Sequence, residues 1–229
     1  MKNLVVLSGA GISAESGIKT FRDADGLWEG HDVMEVASPE GWKKNPELVL
    51  DFYNQRRRQL KTVQPNDAHK ILAELQQFFH VKIITQNVDD LHERAGSQNV
   101  LHLHGELLKA RSVANENKIL DWQDDILIND KDENGHQIRP HIVWFGEMVP
   151  ALQEAAVTMA SADIVIIIGT SMQVYPAAGL IDYAPTNIPV YYIDLNPAKM
   201  YGSQHKIEII ARTASAGMKE LQEILTQEK

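Results

Sequence analysis

An α/β fold built on a doubly wound, Rossmann-like parallel sheet with a small inserted domain is what this sequence predicts, and three observations predict it. Four short runs, Leu4–Leu7, Val81–Thr85, Ile164–Ile168 and Val190–Ile193, are rich in Val, Ile and Leu and apolar at nearly every position. That is the pattern of parallel strands covered on both faces. Stretches with helical spacing alternate with them, as in βαβ units. A glycine-rich turn, Gly9–Gly17, follows the first run directly.

Taken in order, that turn reads GAGISAESG, and Gly9, Gly11 and Ala14 fit the G-x-G-x-x-G/A dinucleotide fingerprint. Glycines there permit close backbone approach to a pyrophosphate at a helix N-terminus. A conventional dehydrogenase would place a second strand ending in an acidic residue about 20 residues on. The chain instead reads IKTFRDADGLWEGHD, loop-like and carrying Phe21, Arg22 and Trp28, which disfavours a hydride-transfer enzyme. Pro46–Leu60 then opens with proline at a first-turn position and puts Leu48, Phe52 and Tyr53 on one stripe. Asn66–Phe78 has an Asn cap and apolar residues at Ala68, Ile71, Leu72 and Leu75. QNVDDLH (Gln86–His92) and GTS (Gly169–Ser171) each follow a strand, so both belong at the sheet edge where ligands of open α/β sheets bind. Val149–Ala160 and Ser215–Gln227 complete the helices. Between Lys109 and Arg139 the chain is polar and punctuated by Asn, Asp and Gly, the signature of a small inserted module or extended loop.

The bulk numbers bound the function. A chain of 229 residues, 44% hydrophobic and 23% charged, carries enough apolar material for a sizeable core. Its 31 acidic against 22 basic residues disfavour nucleic acid as a partner. There is no cysteine, which excludes disulfides and thiolate metal sites and suits a reducing compartment. The apolar runs are too short for a signal peptide or a bilayer span, so a cytoplasmic protein without a membrane partner is expected. His102 and His104 stand two apart and on a strand would share a face. With neither cysteine nor an obvious carboxylate at ligand spacing, no metal site is expected there.

The motifs GAGISAESGIKTFR, TQNVDDLHERAG, HLHGEL, PHIVWFGE and GTSMQVYPAAG resemble, in order and spacing, those of the sirtuins, NAD-dependent protein-lysine deacylases. The resemblance runs from about Leu4 to about Asn196 and implies one catalytic unit over residues 1–229. Its large Rossmann-like part would span about 1–25, 65–108 and 140–229, with small-domain insertions at about 26–64 and 109–139. It implies His104 as general base, with Asn87 and Asp89 as catalytic partners around the nicotinamide ribose, joined there by Gln86. Gly9, Ala10, Gly11, Ser13, Ala14, Glu15, Phe21, Arg22 and Trp28 would form the NAD loop. Gly169, Thr170 and Ser171 would hold phosphate and ribose, and Asp194, Leu195, Asn196 and Ala214 would lie near the adenosine. Val143, Trp144, Phe145, Gly146 and Glu147 would pair with the substrate backbone as an added strand. An imidazole suits the base role because its ordinary pKa of about 6.5 lies near operating pH. The products implied are nicotinamide, O-acyl-ADP-ribose and free lysine.

Most sirtuins hold the small domain with zinc on four cysteines. Ser112 stands where the first would fall, and His136 alone cannot replace a thiolate set. No structural zinc is therefore expected, the module resting on Ile119, Leu120, Trp122 and Ile126–Ile128. In the branch acting on acidic acyl groups, a tyrosine and an arginine three residues later line the acyl pocket. FYNQRRRQL places Tyr53 and Arg56 at that spacing on one helix face, with Arg57 and Arg58 pointing elsewhere, into solvent. Arg56 could fork onto a succinyl or malonyl carboxylate, while acetyl would still fit. A non-enzymatic NAD sensor would have no reason to keep His104, Asn87 and Asp89 together. A protein ADP-ribosyltransferase could use the same cleavage site with another acceptor.

Overall fold

A computed structural model describes residues 1–19, 27–28, 30–198 and 204–227. β1 (Asn3–Ser8) runs into a short 3-10 helix, Ala10–Ser16. β2 (Leu27–Trp28) and β3 (His31–Asp32) form a two-stranded ladder. Three helices follow, α1 (Val33–Val36), α2 (Pro39–Lys44) and α3 (Pro46–Leu60). Ser38 caps α2 by accepting from Gly41 N, and Asn45 caps α3 by accepting from Leu48 N, each ahead of a first-turn proline. α4 (Asp67–Glu74), capped by Asn66, leads to β4 (His80–Thr85), α5 (Leu91–Arg94) and β5 (Val100–His102). β6 (Gly105–Ser112), β7 (Ile119–Asp121) and β8 (Ile138–Ile142) form a separate antiparallel sheet in the order β7-β6-β8. The chain then returns through α6 (Leu152–Ala160), β9 (Ile164–Ile168), β10 (Val190–Ile193), β11 (Ile207–Ile210) and α7 (Ala214–Gln227).

The main sheet is parallel throughout, in the order β11-β10-β9-β1-β4-β5. From β1 it winds outward through β4 and β5, then restarts on the other side of β1 with β9, so the strand order reverses between β1 and β9. That is where an open α/β sheet leaves a crevice at its carboxyl edge. Successive residues of β1 feed opposite faces. Leu4 and Val6 join a core with α4 and α7, while Val5 and Leu7 join one with α6 and the 3-10 helix Ala177–Tyr183. Each such fully buried aliphatic side chain contributes about 1.5–3 kcal/mol.

The region expected to be a polar insert contains the second sheet, whose strands reach from Gly105 to Ile142. Its core is Leu50, Ala110, Ile126 and Ile138, with Leu120, Trp122 and Ile128 packed against it. The expectation that Ile119 and Leu127 hold this module is corrected. Both are exposed, because the short β7 and the turn after Ile126 leave them no facing surface. Among the described residues no helix is long and apolar enough to cross a membrane.

Candidate active site

The floor of the cleft is two strand ends in backbone contact. Gly9 N donates to Ile168 O, and Gly11 N donates to Gly169 O over 2.7 Å. A Cβ on Gly11 would stand 2.7 Å from Gly169 Cα. Gly169 has φ +63°, and a Cβ on it would come within 2.2 Å of Ile12 N. The glycines read as a phosphate cradle are thus required first by each other. Above them opens a cleft of about 760 Å³ that continues to Asp194–Asn196 and to the start of α7, a size and a sheet-edge position suited to a dinucleotide. Thr170 accepts from Gln86 Nε2 over 3.0 Å, tying the ends of β4 and β9 across the floor.

A buried polar triad stands on the β4 side. Asn87 Nδ2 donates to Ser13 Oγ (3.1 Å), which donates to Asp89 Oδ2 (3.0 Å). Asp89 Oδ1 accepts from Leu91 N. Burial pushes the Asp89 carboxyl up to about 6 against these hydrogen bonds. His104 follows β5, and its Nδ1 lies 3.0 Å from Gln86 O. A carbonyl only accepts, so Nδ1 carries the proton and the neutral ring keeps its lone pair on Nε2. Burial lowers the His104 pKa, and the Gln86 bond offsets this only in part. His102 grips the next carbonyl, Asn87 O, with Nδ1 at 2.9 Å, while its Nε2 meets Glu93 Oε1 at 2.8 Å. Each of the two histidines therefore spends a nitrogen on the loop after β4.

The far end of the cleft is walled by α3. Tyr53 is wholly buried, with Trp28 and Phe52 edge-on to its ring at 6.2 and 5.1 Å, and its hydroxyl oxygen accepts from Trp144 Nε1. Arg56 lines the same cleft, stacked 3.9 Å over the Phe52 ring and donating to Phe52 O. The expectation for Arg57 is corrected: it is fully buried, not solvated. Its Nε donates to Leu107 O and its Nη1 to Asn54 Oδ1, and burial lowers its pKa to about 10. Asn54 in turn exchanges two hydrogen bonds with the backbone of Ile126. Arg58 is exposed and pairs with Asp125 and Asp51.

Residues 143–147 form an irregular loop rather than a strand. Val143 N donates to His104 O, Phe145 N to Ala37 O, Glu147 N to Trp144 O, and Trp144 N to the Glu147 carboxylate. Pairing with a peptide would thus fall to carbonyls and the Gly146 amide. The Glu147 side chain is taken up by Arg111, Arg139 and Trp144 N.

Three comparisons bear on this arrangement. A model of the Sir2 family matches residues 9–176. The chain is 60% identical over 221 residues to a protein of Helicobacter pylori (strain ATCC 700392 / 26695) called NAD-dependent protein deacylase, covering 96% of each. The chain belongs to the Sir2 (sirtuin) family. A protein of the same description from Escherichia coli (strain K12) is 48% identical, over 93% of this chain and 74% of that one. Among solved structures, a Sir2 homologue in complex with NAD aligns with TM-score 0.88 and 38% identity, over 99% and 90% of the two chains. A Sir2 bound to acetylated peptide aligns with TM-score 0.80 and 28% identity, over 97% and 93%.

Of the site residues expected from sequence, the sirtuin fold brings all the described ones to one cleft except Ser13, which lies beneath it supporting Asn87 and Asp89. Phe21 and Arg22 lie outside the described residues. Glu15 lines the cleft and also accepts from Ser215 N, docking the first 3-10 helix on α7. Sequence reasoning missed lining residues Ile18, Val88, Leu107, Ile142 and Val174–Pro176. All of them sit inside the quoted motifs, but an aliphatic such as Leu107 carries no chemistry that separates a cleft wall from ordinary core. It also missed Glu93, which follows His92 in the DDLHERAG stretch. No group of three or more His, Asp or Glu able to hold a metal occurs among the described residues.

Proposed function

We propose that this chain is an NAD-dependent protein-lysine deacylase, acting on acetyl, succinyl and malonyl groups. The observation that carries the reading is the His104 ring. Its proton is fixed on Nδ1, and its lone pair lies at a sheet-edge cleft beside Asn87 and Asp89. The Helicobacter pylori and Escherichia coli relatives described as NAD-dependent deacylases support it, as do the NAD and acetylated-peptide complexes of its structural neighbours.

NAD, when bound, supplies an anomeric ribose carbon from which an acyl-lysine oxygen displaces nicotinamide, the acyl group departing as O-acyl-ADP-ribose and leaving free lysine. His104 Nε2 takes the proton of a ribose hydroxyl. Asn87 and Asp89, held by Ser13, orient hydroxyl, amide and water at the reacting end. Gln86 stands with them, its amide fixed on Thr170. Gly9, Ala10, Gly11, Ala14, Glu15 and Trp28 line the β1 side and Gly169–Ser171 the β9 side. Asp194, Leu195, Asn196 and Ala214 line the distal end for the adenosine. Loop 143–147 borders the peptide entrance, and Tyr53 with Arg56 receives the acidic end of a succinyl or malonyl group.

We read residues 1–229 as one catalytic unit, its small part drawn from about 26–64 and 109–139. A zinc ribbon does not fit that part, which has no thiolate. Asn54 and Arg57 brace it from α3 instead, and Asp132 closes its distal turn by accepting from Asn134 N and His136 N. The acidic balance and the short apolar runs support protein partners in the cytoplasm rather than nucleic acid or membrane. The test is nicotinamide release with acetyl- and succinyl-lysine peptides side by side, with mass spectrometry of the products and metal analysis of the purified protein. O-acyl-ADP-ribose formed only with NAD, and lost in His104→Ala, is the expected result. Transfer of ADP-ribose to protein, or one tightly bound zinc per chain, would overturn the corresponding part.

A further inference from the structure

His102 has a geometry that the reaction as described does not use. Its Nδ1 lies 2.9 Å from Asn87 O and its Nε2 2.8 Å from Glu93 Oε1. A carbonyl and a carboxylate both only accept, so this ring must donate from both nitrogens, and an imidazole with two N–H bonds is a cation. The side chain is 8% exposed against 40% for Glu93, so a buried positive charge rests on a partner that reaches solvent. It lies behind the loop bearing Gln86, Asn87 and Asp89, and it grips that loop one carbonyl beyond the one His104 grips.

We propose that His102, held as a cation by Glu93, is a positioning residue that fixes the 86–89 loop and lends Asp89 a positive charge that favours its anion. The proposal rests on the deacylase reading, in which Asp89 works ionised beside the reacting ribose. Independent features agree. Burial alone would discharge His102, yet the hydrogen bond and charge of Glu93, the Asn87 carbonyl and the charge of Glu106 together raise its pKa. Asp89, which burial drives up, feels His102 as a stabilising charge. The other groups facing His102 are His92 on α5, whose pKa is held down first by burial and further by the charge of His102, and His141 on β8, likewise lowered. Both stay neutral, so neither competes with His102 as the cation beside Asp89. Glu106 is itself paired with Lys109, which leaves Glu93 as the direct counter-ion.

A space-filling histidine and a charge-supplying one differ in what their removal does with pH. His102→Asn keeps a donor near the Nδ1 position toward Asn87 O and removes the charge; Glu93→Gln keeps an acceptor and removes the anion. The experiment measures kcat/KM for NAD with an acetyl-lysine peptide from pH 5.5 to 9 for the wild type, each single variant and the double variant. The acid limb of His102→Asn is expected to move up from about 6 by about half a pH unit, a loss of about twofold at pH 6 that is regained by pH 8.5. Glu93→Gln should move it in the same direction, and in the His102→Asn background should add nothing, because it acts through that ring. A uniform drop at all pH values with an unmoved limb, or full additivity of the two changes, would overturn the proposal. Should His102→Asn fail to fold by circular dichroism, Glu93→Gln carries the test alone: a moved limb supports it and an unmoved one overturns it. A wild type without NAD-dependent deacylation would instead overturn the reading beneath it.

Discussion

Trp144 Nε1 donates to the Tyr53 hydroxyl oxygen over 3.1 Å, joining the loop after β8 to the middle of α3. An indole nitrogen can only donate, so this bond uses the phenol as acceptor and leaves its own hydrogen to be given elsewhere. Burial pushes the Tyr53 pKa well above its ordinary value, against the Trp144 bond, so the phenol remains a donor at any working pH. It stands in the cleft beside Arg56, and a donor next to a guanidinium is a site for a carboxylate. Arg56→Met should cut turnover of succinyl-lysine roughly 30- to 150-fold, the worth of a buried charge-assisted pair of about 2–3 kcal/mol, while acetyl-lysine keeps most of its rate. Trp144→Phe should lose about tenfold on succinyl substrates by freeing the phenol to turn. Equal losses on both acyl groups in paired assays would refute this use of the pocket.

The proposed reaction needs His104 neutral and Asp89 ionised. Burial lowers the His104 pKa, so its demand is met throughout the range above about 6.5 and below it to the depressed value. Asp89 is pushed up to about 6 and sets the stricter limit. The pH profile of kcat/KM should therefore be flat above about pH 7 and fall as pH drops through 6. Asp89→Asn should remove most activity without restoring an acid plateau. A profile still rising between pH 7.5 and 9 would contradict the assignment.

Beneath the site, His69 and His92 meet edge to face at 5.0 Å, both fully buried. His92 Nε2 bonds Ser8 Oγ, but neither His69 nitrogen has a hydrogen-bond partner among the described residues. Burial holds the His69 pKa down to about 4, below its unfolded value of about 6.5. The unfolded chain thus binds a proton that the folded one refuses. Stability from this residue is fully present above about pH 6.5 and is lost as pH falls toward 4, with about 2 kcal/mol gone by pH 5. For a chain of this size that lowers Tm by about 4–8 °C. His69→Leu should melt with a smaller difference between pH 7 and pH 5 than the wild type; an identical difference would place the acid sensitivity elsewhere.

Arg57 offers a test of what holds the small sheet in place. Its guanidinium satisfies Leu107 O and Asn54 Oδ1 in a fully buried setting. Arg57→Leu would strand both acceptors, at about 2–4 kcal/mol, and lower Tm accordingly. The exposed Arg58→Leu should change stability by less than about 1 kcal/mol. Calorimetry giving the two variants similar melting temperatures would deny Arg57 its role as a brace.

The parts of this fold legible in the sequence are those where burial leaves no ambiguity. β1, β4, β9 and β10 are apolar on both faces, and each is followed by residues that cannot continue a strand. β5 and β11 escaped because three or four half-exposed edge residues carry no such pattern. β6 escaped because GELLKARS mixes charge into a strand whose Arg111 is buried against Glu147. Arg57 was misread for the same reason: charge predicts solvent until a carbonyl and an amide are found to receive it. The gathering of the motifs at one sheet edge follows from topology once the strands are known. The contacts between motifs, such as Gln86 with Thr170 or His102 with Glu93, link residues whose proximity no local pattern encodes.

Two glycines, Gly11 and Gly169, pressed together under the cleft also constrain how such an enzyme can change. Neither Gly11 nor Gly169 has space for one added methyl, so the base of the chamber tolerates no tailoring. On the proposed reading of the acyl pocket, a shift in which modified side chains are accepted would come from remodelling the helical wall around Phe52 and Arg56. The bedrock dictates that a nucleotide is used; the masonry above it chooses the guest.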